Sequence, residues 1–234
     1  MKHTLTILAF FAVVLTFAQE INRFDSQGKR HGIWKKYYEG TQVLRYEGEF
    51  SHGKEIGLFK FYKNVNNEAK LSATKQFNPK DDLAEVHFYT SKGKLMSKGK
   101  MQGKAFIGEW VFYHNKNNNV MTRENYNTQG KLDGQRTVYY TNGNIAEIQH
   151  YKDGKLHGKV KLYTEKNEII SAYTYQDDQL HGEAIIYDAN GNISAQGIYK
   201  NNKRHGIWKF YEKGKLKEEK DFTPKSKNPY KKKP

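Results

Sequence analysis

Four histidines stand directly before glycines that recur along the chain: His31, His157, His181 and His205, ahead of Gly32, Gly158, Gly182 and Gly206. Imidazole is a common metal ligand, so a shared ion is the chemistry such a set could perform. If each occupies the same place in successive hairpins, neighbours lie about 9–10 Å apart, whereas every ligand of one zinc must reach it at about 2 Å. The set therefore predicts turn histidines that bond the backbone or stack on the next unit, with no metal. His52, His87, His114 and His150 occupy other parts of their units.

Glu47 with Glu49, Asp81 with Asp82, and Asp177 with Asp178 are the candidate carboxylate pairs. Acid–base catalysis needs a pocket that drives two such pKa values apart, and a flat ladder of strands supplies none. The aspartate pairs fall in linker turns, where capping is their expected role. No Ser–His–acid set and no G-x-x-x-x-G-K-[ST] phosphate loop occurs. The expectation is a protein that is not an enzyme and carries no cofactor.

The elements that position these groups repeat. Small anchors at Gly32, Gly57, Ala84, Gly108, Gly134, Gly158, Gly182 and Gly206 are each followed five places on by Tyr37, Tyr62, Tyr89, Tyr113, Tyr139, Tyr163, Tyr187 and Tyr211. The anchors step by 25, 27, 24, 26, 24, 24 and 24 residues. A near-fixed period of this size marks stacked units, each too small to bury a core alone. Two places after the anchor come Trp34, Phe59, Val86, Trp110, Val160 and Trp208; four places after come Phe61, Phe88, Phe112, Val138, Leu162, Ile186 and Phe210. Residues two apart share one face of a strand, so these form the expected buried face.

A Gly or Asn then marks a turn: Gly40, Asn66, Gly93, Asn117, Gly143, Asn167, Gly191 and Gly214, with Asn142-Gly143 and Asn190-Gly191 the strongest hairpin signals. A second strand begins on an aliphatic residue such as Leu95 or Ile145 and ends on Phe50, Phe77, Met101, Tyr126, Tyr151, Tyr175, Tyr199 or Phe222. Each repeat reads as one β-hairpin. Asn64 to Asn67 and Asn117 to Asn119 are expected to lengthen hairpin tips. At about 4.8 Å per strand, eight stacked hairpins would run roughly 75 Å. Most of the recurring tyrosines are expected to form a stacked ladder between units, and the 17 tyrosines with three tryptophans to give a sheet face apolar in body and polar at the ring tips.

The phrases HGIWKKYYEG at residues 31–40, GEWVFYHN at 108–115 and HGIWKFYEKG at 205–214 resemble MORN repeats of the bacterial variant form, over about residues 22–222. The resemblance implies a single-layer, twisted antiparallel sheet of successive hairpins. It also implies lipid binding for some members, and a YwqK-like antitoxin label for bacterial chains of this type. Ala84 departs from the pattern at an anchor.

Lys2, the apolar run from Leu5 to Phe17 and the Thr16-Phe17-Ala18 site read as a signal peptide over residues 1–18, too short for a spanning helix of roughly 20 residues. Cleavage would leave an exported, periplasmic or extracellular chain with no transmembrane segment: a repeat domain over 19–222 and a basic tail over 223–234 expected to be disordered. An intracellular antitoxin would have no use for that leader. With no cysteine, neither a disulfide nor a lipidated cysteine is available. The formal net charge is +15, or +14 without Lys2, which admits anionic lipid or acidic polymer as a ligand without choosing one. The leading expectation is a non-catalytic scaffold for a protein partner or a second copy, with anionic lipid or polymer as the alternative and nucleic acid not favoured.

Overall fold

The computed structural model describes residues 20–78 and 80–225. The expected leader at 1–18 and positions 226–234 of the expected tail lie outside them. A two-residue strand, β1 (Arg23–Phe24), precedes eight hairpins. The first four are β2 (Arg30–Tyr37) with β3 (Leu44–Ser51), β4 (Lys54–Val65) with β5 (Glu68–Phe77), β6 (Leu83–Tyr89) with β7 (Leu95–Gln102), and β8 (Ala105–Tyr113) with β9 (Val120–Tyr126). The fifth is β10 (Gly134–Tyr139) with β11 (Ile145–Lys152); the sixth is β12 (Lys155–Leu156) and β13 (Gly158–Tyr163) with β14 (Ile169–Gln176). The last two are β15 (Gln179–Tyr187) with β16 (Ile193–Lys200) and β17 (Lys203–Glu212) with β18 (Lys215–Asp221). The chain is thus an all-β repeat, a single open antiparallel sheet. Its strands pair in chain order, hairpin to hairpin, through contacts such as β3–β4, β9–β10 and β16–β17.

Two irregularities shape the units, the first in all eight and the second in seven. In all eight hairpins the register slips by one residue immediately before the recurring tyrosine, as between Phe61 and Tyr62 or Phe210 and Tyr211. A bulge adds local twist, so one repeated in each unit winds the whole sheet consistently. The second sits at the anchor. All seven anchor glycines have positive φ, from 65° at Gly57 and Gly206 to 109° at Gly182, a region open to glycine and strained for a branched residue. At the β3–β4, β7–β8 and β16–β17 junctions the ladder resumes only after three residues face one: 57–59 against Gly48, 108–110 against Gly99, and 206–208 against Gly197. Ala84 is the exception that explains the rule. The β5–β6 register runs through it without a slip, so no positive φ is needed there.

The bulge lets a large ring fold over a bare backbone. A Cβ built on Gly48 would lie 2.4 Å from the Phe59 ring, on Gly99 2.5 Å from Trp110, and on Gly197 2.4 Å from Trp208. Phe59, Trp110 and Trp208 are fully buried although the sheet is one layer thick. Burying a phenylalanine side chain stabilises by roughly 1.5–3 kcal/mol. Each indole also donates to a carbonyl of the preceding strand: Trp34 to Arg23 O at 3.0 Å, Trp110 to Lys100 O at 2.8 Å, and Trp208 to Ile198 O at 3.0 Å. One row further on, large residues of each first strand alternate with small ones of each return strand: Phe61, Ala73, Phe88, Ser97, Phe112 and Thr122 in succession. The small members are buried beneath the large ones.

The turns differ from expectation in two places. Asn64 and Val65 belong to β4, so the segment lengthens the strands and leaves a two-residue tip, Asn66-Asn67, both at positive φ. Asn142-Gly143 and Asn190-Gly191 lie within five-residue loops, closed by Gly143 N to Tyr140 O at 3.0 Å and Gly191 N to Asp188 O at 3.0 Å. Units are also tied edge to edge. Tyr38 and Tyr140 hydroxyls donate to Tyr62 O and Tyr163 O at 2.7 Å each. At the opposite edge, Leu180 N donates to Asn202 Oδ1 at 2.7 Å and Asn202 N returns a bond to Leu180 O at 3.0 Å.

Substituting Gly99 by Ala should destabilise the protein by about 1–3 kcal/mol, because the fully buried Trp110 ring cannot yield without losing its packing. Ala84→Gly, in unstrained strand, should cost no more than about 1 kcal/mol. Urea midpoints compare the two directly.

Candidate functional site

The two faces of the sheet have different chemistry. The first carries Trp34, Trp110 and Trp208 two places after their anchors, together with the large residue that ends each return strand. That residue lies opposite the anchor: Phe50 faces Gly32, Phe77 faces Gly57, Met101 faces Ala84, Tyr126 faces Gly108, Tyr151 faces Gly134, Tyr175 faces Gly158 and Tyr199 faces Gly182. Gly206 pairs similarly, accepting from Phe222 N at 2.9 Å. The rings pack edge to face along the stack, Phe50 meeting Trp34 at 6.0 Å and Phe59 at 5.2 Å, and Tyr199 meeting Trp208 at 5.1 Å.

The recurring tyrosines Tyr37, Tyr62, Tyr89, Tyr113, Tyr139, Tyr163, Tyr187 and Tyr211 follow the bulge and belong to the other face. The expected stacked ladder is not what they form, and they do not share a surface with the tryptophans. Instead they reach side chains of their own row: the Tyr62 hydroxyl donates to Glu47 Oε1 at 2.9 Å, the Tyr211 hydroxyl accepts from Gln196 Nε2 at 2.8 Å, and Tyr89 lies 3.3 Å from His87 Nδ1. Burial, then the bond to Glu47, pushes the Tyr62 phenol up to about 12. Burial opposes the Glu47 charge, yet the Tyr62 bond and the Lys60 and Lys35 charges outweigh it and hold that carboxyl below its ordinary range. Some charges on this face are matched locally, Lys35 and Lys60 with Glu47, Arg123 with Glu109, Lys209 with Glu219. A shallow groove there, lined by Glu85, His87, Lys98, Lys100 and Glu109, mixes both signs.

The histidines are dispersed as their period requires. His181 Nδ1 lies 3.3 Å from Asn201 Oδ1, and His157 Nδ1 lies 3.7 Å from Asp177. The closest pair joins a recurring histidine to a non-recurring one: the His31 and His52 rings are 5.0 Å apart, with His52 Nδ1 2.8 Å from Asp25 Oδ2. Among the described residues no three His, Cys, Asp or Glu side chains come together as a metal site. Asp178 caps Leu156 N at 2.8 Å and Asp81 caps Leu83 N at 2.9 Å, while Glu47 is held by lysines and a tyrosine rather than by Glu49.

The aromatic face is not continuous. Apolar clusters form around Trp34 and Phe59, around Val86 and Trp110, and around Ala184 and Trp208. Between the second and third, a polar network occupies the stripe. Arg136 Nε donates to Glu124 Oε1 at 2.9 Å and Arg136 Nη1 to Gln149 Oε1 at 2.7 Å; Gln149 Nε2 donates to Glu147 Oε1 at 2.9 Å. The Tyr126 hydroxyl donates to Glu124 Oε2 at 2.5 Å and the Tyr151 hydroxyl to Gln149 Oε1 at 3.2 Å. Burial first, and then the bond to Glu124, raises the Tyr126 phenol well above its ordinary value; burial also raises Tyr151 and Tyr175. Four consecutive units present tyrosine at the return-strand end, Tyr126, Tyr151, Tyr175 and Tyr199, where the outer units have Phe50, Phe77, Met101 and Phe222. All four are half-buried. This polar break, with its row of tyrosines, is the candidate binding site. It was missed in the sequence, although a signal exists: the fifth unit puts Arg136 where its neighbours have an apolar residue.

A family model described as MORN repeat variant matches residues 132–153, 180–201 and 204–223. These are the fifth, seventh and eighth hairpins, and the other five share their bulge and register. No curated protein matches the chain. MORN repeats are generally associated with binding to proteins or membrane lipids, and the family is generally non-catalytic.

The side chains of Arg136 and Glu124 are 26% and 13% exposed, against 43% and 53% for Arg123 and Glu109 on the opposite face. Arg136→Ala should therefore cost on the order of 2 kcal/mol, since it strands a largely buried carboxylate. Arg123→Ala should cost within about 1 kcal/mol. Equilibrium denaturation of both variants checks the order.

Proposed function

We propose that the chain is a non-catalytic, exported scaffold that binds a protein partner across its aromatic face, centred on the polar break of the fifth and sixth hairpins. The observation that carries this reading is the run of half-buried tyrosines, Tyr126, Tyr151, Tyr175 and Tyr199, on a rigid hairpin stack beside a fixed network of donors and acceptors. Such rings offer large contact area, little rotamer entropy to lose and a polar tip, which suits recognition of a folded or extended polypeptide. Export rests on the apolar start of the sequence, with the work then done in the periplasm or outside the cell.

A surface that bound anionic lipid or acidic polymer would draw on the net charge of +15. On the face opposite the aromatics, however, Lys35, Lys60, Arg123 and Lys209 are paired with carboxylates. An antitoxin role, implied only by the YwqK-like label, would keep the chain in the cytoplasm.

Protein isolated from the envelope should have an intact mass that begins at Gln19, and proteins captured with it should persist from low to high salt after residues 225–234 are deleted. Contacts with phosphate or headgroups weaken steeply with salt, and packed interfaces do so much less. Loss of every partner at high salt, or a cytoplasmic chain that retains Met1, would overturn the reading.

A further inference from the structure

Glu147 is out of character for its position. In five of the other seven return strands the equivalent residues are Ala73, Ser97, Thr122, Ser171 and Ala195, all small and buried beneath a large cross-strand neighbour. Only the two outermost, with Tyr46 and the exposed Glu218, differ. Here a carboxylate stands between Val138 and Leu162 on the adjacent strands. It is half-buried, accepts one hydrogen bond, from Gln149 at 2.9 Å, and has no cation within 4.0 Å among the described residues. The nearby Glu124 is already neutralised by Arg136 at 2.9 Å. One uncompensated negative charge therefore remains in the break, four residues before Tyr151 on β11 and linked to its hydroxyl through Gln149, in a chain whose net charge is +15. A partly desolvated carboxylate with unused lone pairs favours a positively charged hydrogen-bond donor.

We propose that this break receives an arginine side chain of the protein partner, its guanidinium on Glu147 and its flat face against the neighbouring tyrosines. The inference rests on the scaffold reading and names the chemistry that the partner must bring. Guanidinium fits better than ammonium because its planar fork can bond both carboxylate oxygens while it stacks on a ring. The same face already holds arginine against its rings, with no carboxylate partner among the described residues, at both ends of the stack. Arg30 lies 4.9 Å from the Trp34 ring centre and 5.2 Å from that of Phe50, and Arg204 lies 4.5, 5.7 and 5.5 Å from those of Trp208, Phe210 and Phe222. In the fifth and sixth hairpins the residues corresponding to Arg30 and Arg204 are Leu132 and Leu156, so no arginine stands at that position there, and Arg136 of the break is already bound to Glu124 and Gln149.

The test is calorimetric titration of the purified protein with a tetra-arginine peptide. Overall charge repels this probe, so saturable binding reports a local acidic site rather than general attraction. Binding should weaken at least tenfold in Glu147→Gln, which keeps the side-chain shape, and stay unchanged in Glu183→Gln on the opposite face. In the wild-type protein, amide shifts on adding the peptide should concentrate in residues 145–152 and 169–176, a readout that needs no variant. No saturable binding, binding equal in wild type and Glu147→Gln, or shifts confined to other units would overturn the proposal. So would saturable binding of anionic vesicles that Glu147→Gln leaves intact while the peptide does not compete. If captured proteins persist at high salt yet the peptide neither binds nor displaces them, the arginine proposal falls and the scaffold reading stands.

Discussion

The structure depends on one close approach: a large ring lying flat on a glycine of the adjacent strand. At Gly48, Gly99 and Gly197 there is no room for even a methyl group. A single-layer sheet has no second layer to cover its apolar side, so it must bury residues against its own strands. The bare backbone beneath Phe59, Trp110 and Trp208 makes this possible, and the positive-φ glycine two residues before each ring turns the strand so that the ring can reach it. The indole hydrogen bonds to the preceding strand then join neighbouring hairpins, so that burial, backbone conformation and unit-to-unit coupling are one arrangement.

The same logic explains how the ends are finished. Phe24 meets Trp34 edge-on at 5.1 Å and 83°, just as Tyr199 meets Trp208 at 5.1 Å and 82°. Arg23 O accepts the Trp34 indole as Ile198 O accepts that of Trp208. The short β1 thus acts as a return strand for the first unit, supplying it with what β16 supplies to the last. At the other end β18 is exposed along its whole length and reads Lys-Leu-Lys-Glu-Glu-Lys-Asp, a charged edge that discourages strand addition by another chain.

Much of this was legible in the residues. The period, the hairpin, the anchor glycines and the face carrying Trp34, Trp110 and Trp208 follow from alternation and from glycine's conformational freedom. The face of the recurring tyrosines was legible too, since five places after the anchor they fall opposite the residues at two and four, and the extra residue of each bulge lies on the return strand, as Ser72 does between Leu71 and Ala73. What their hydroxyls meet was not, because those partners come from the adjacent strand. Glycines 48, 99 and 197 each stand nine residues before an anchor; that spacing is visible, but its meaning appears only when the strands are laid side by side. The candidate site was hidden for a related reason. Glu124, Arg136, Glu147 and Gln149 look like ordinary surface residues until register places them in a stripe that is aromatic elsewhere.

If ring-on-glycine packing holds the sheet together, local stability must follow it along the chain. Native-state hydrogen exchange read amide by amide tests this most directly, because the free energy of local opening tracks buried contact in each cooperative segment. The account predicts strongest protection in β7 to β9 and in β15 to β17, around Trp110 and Trp208, and weaker protection in β10 to β13, where the polar break replaces the rings. Protection in β10 to β13 equal to or above that of the flanking hairpins would contradict it.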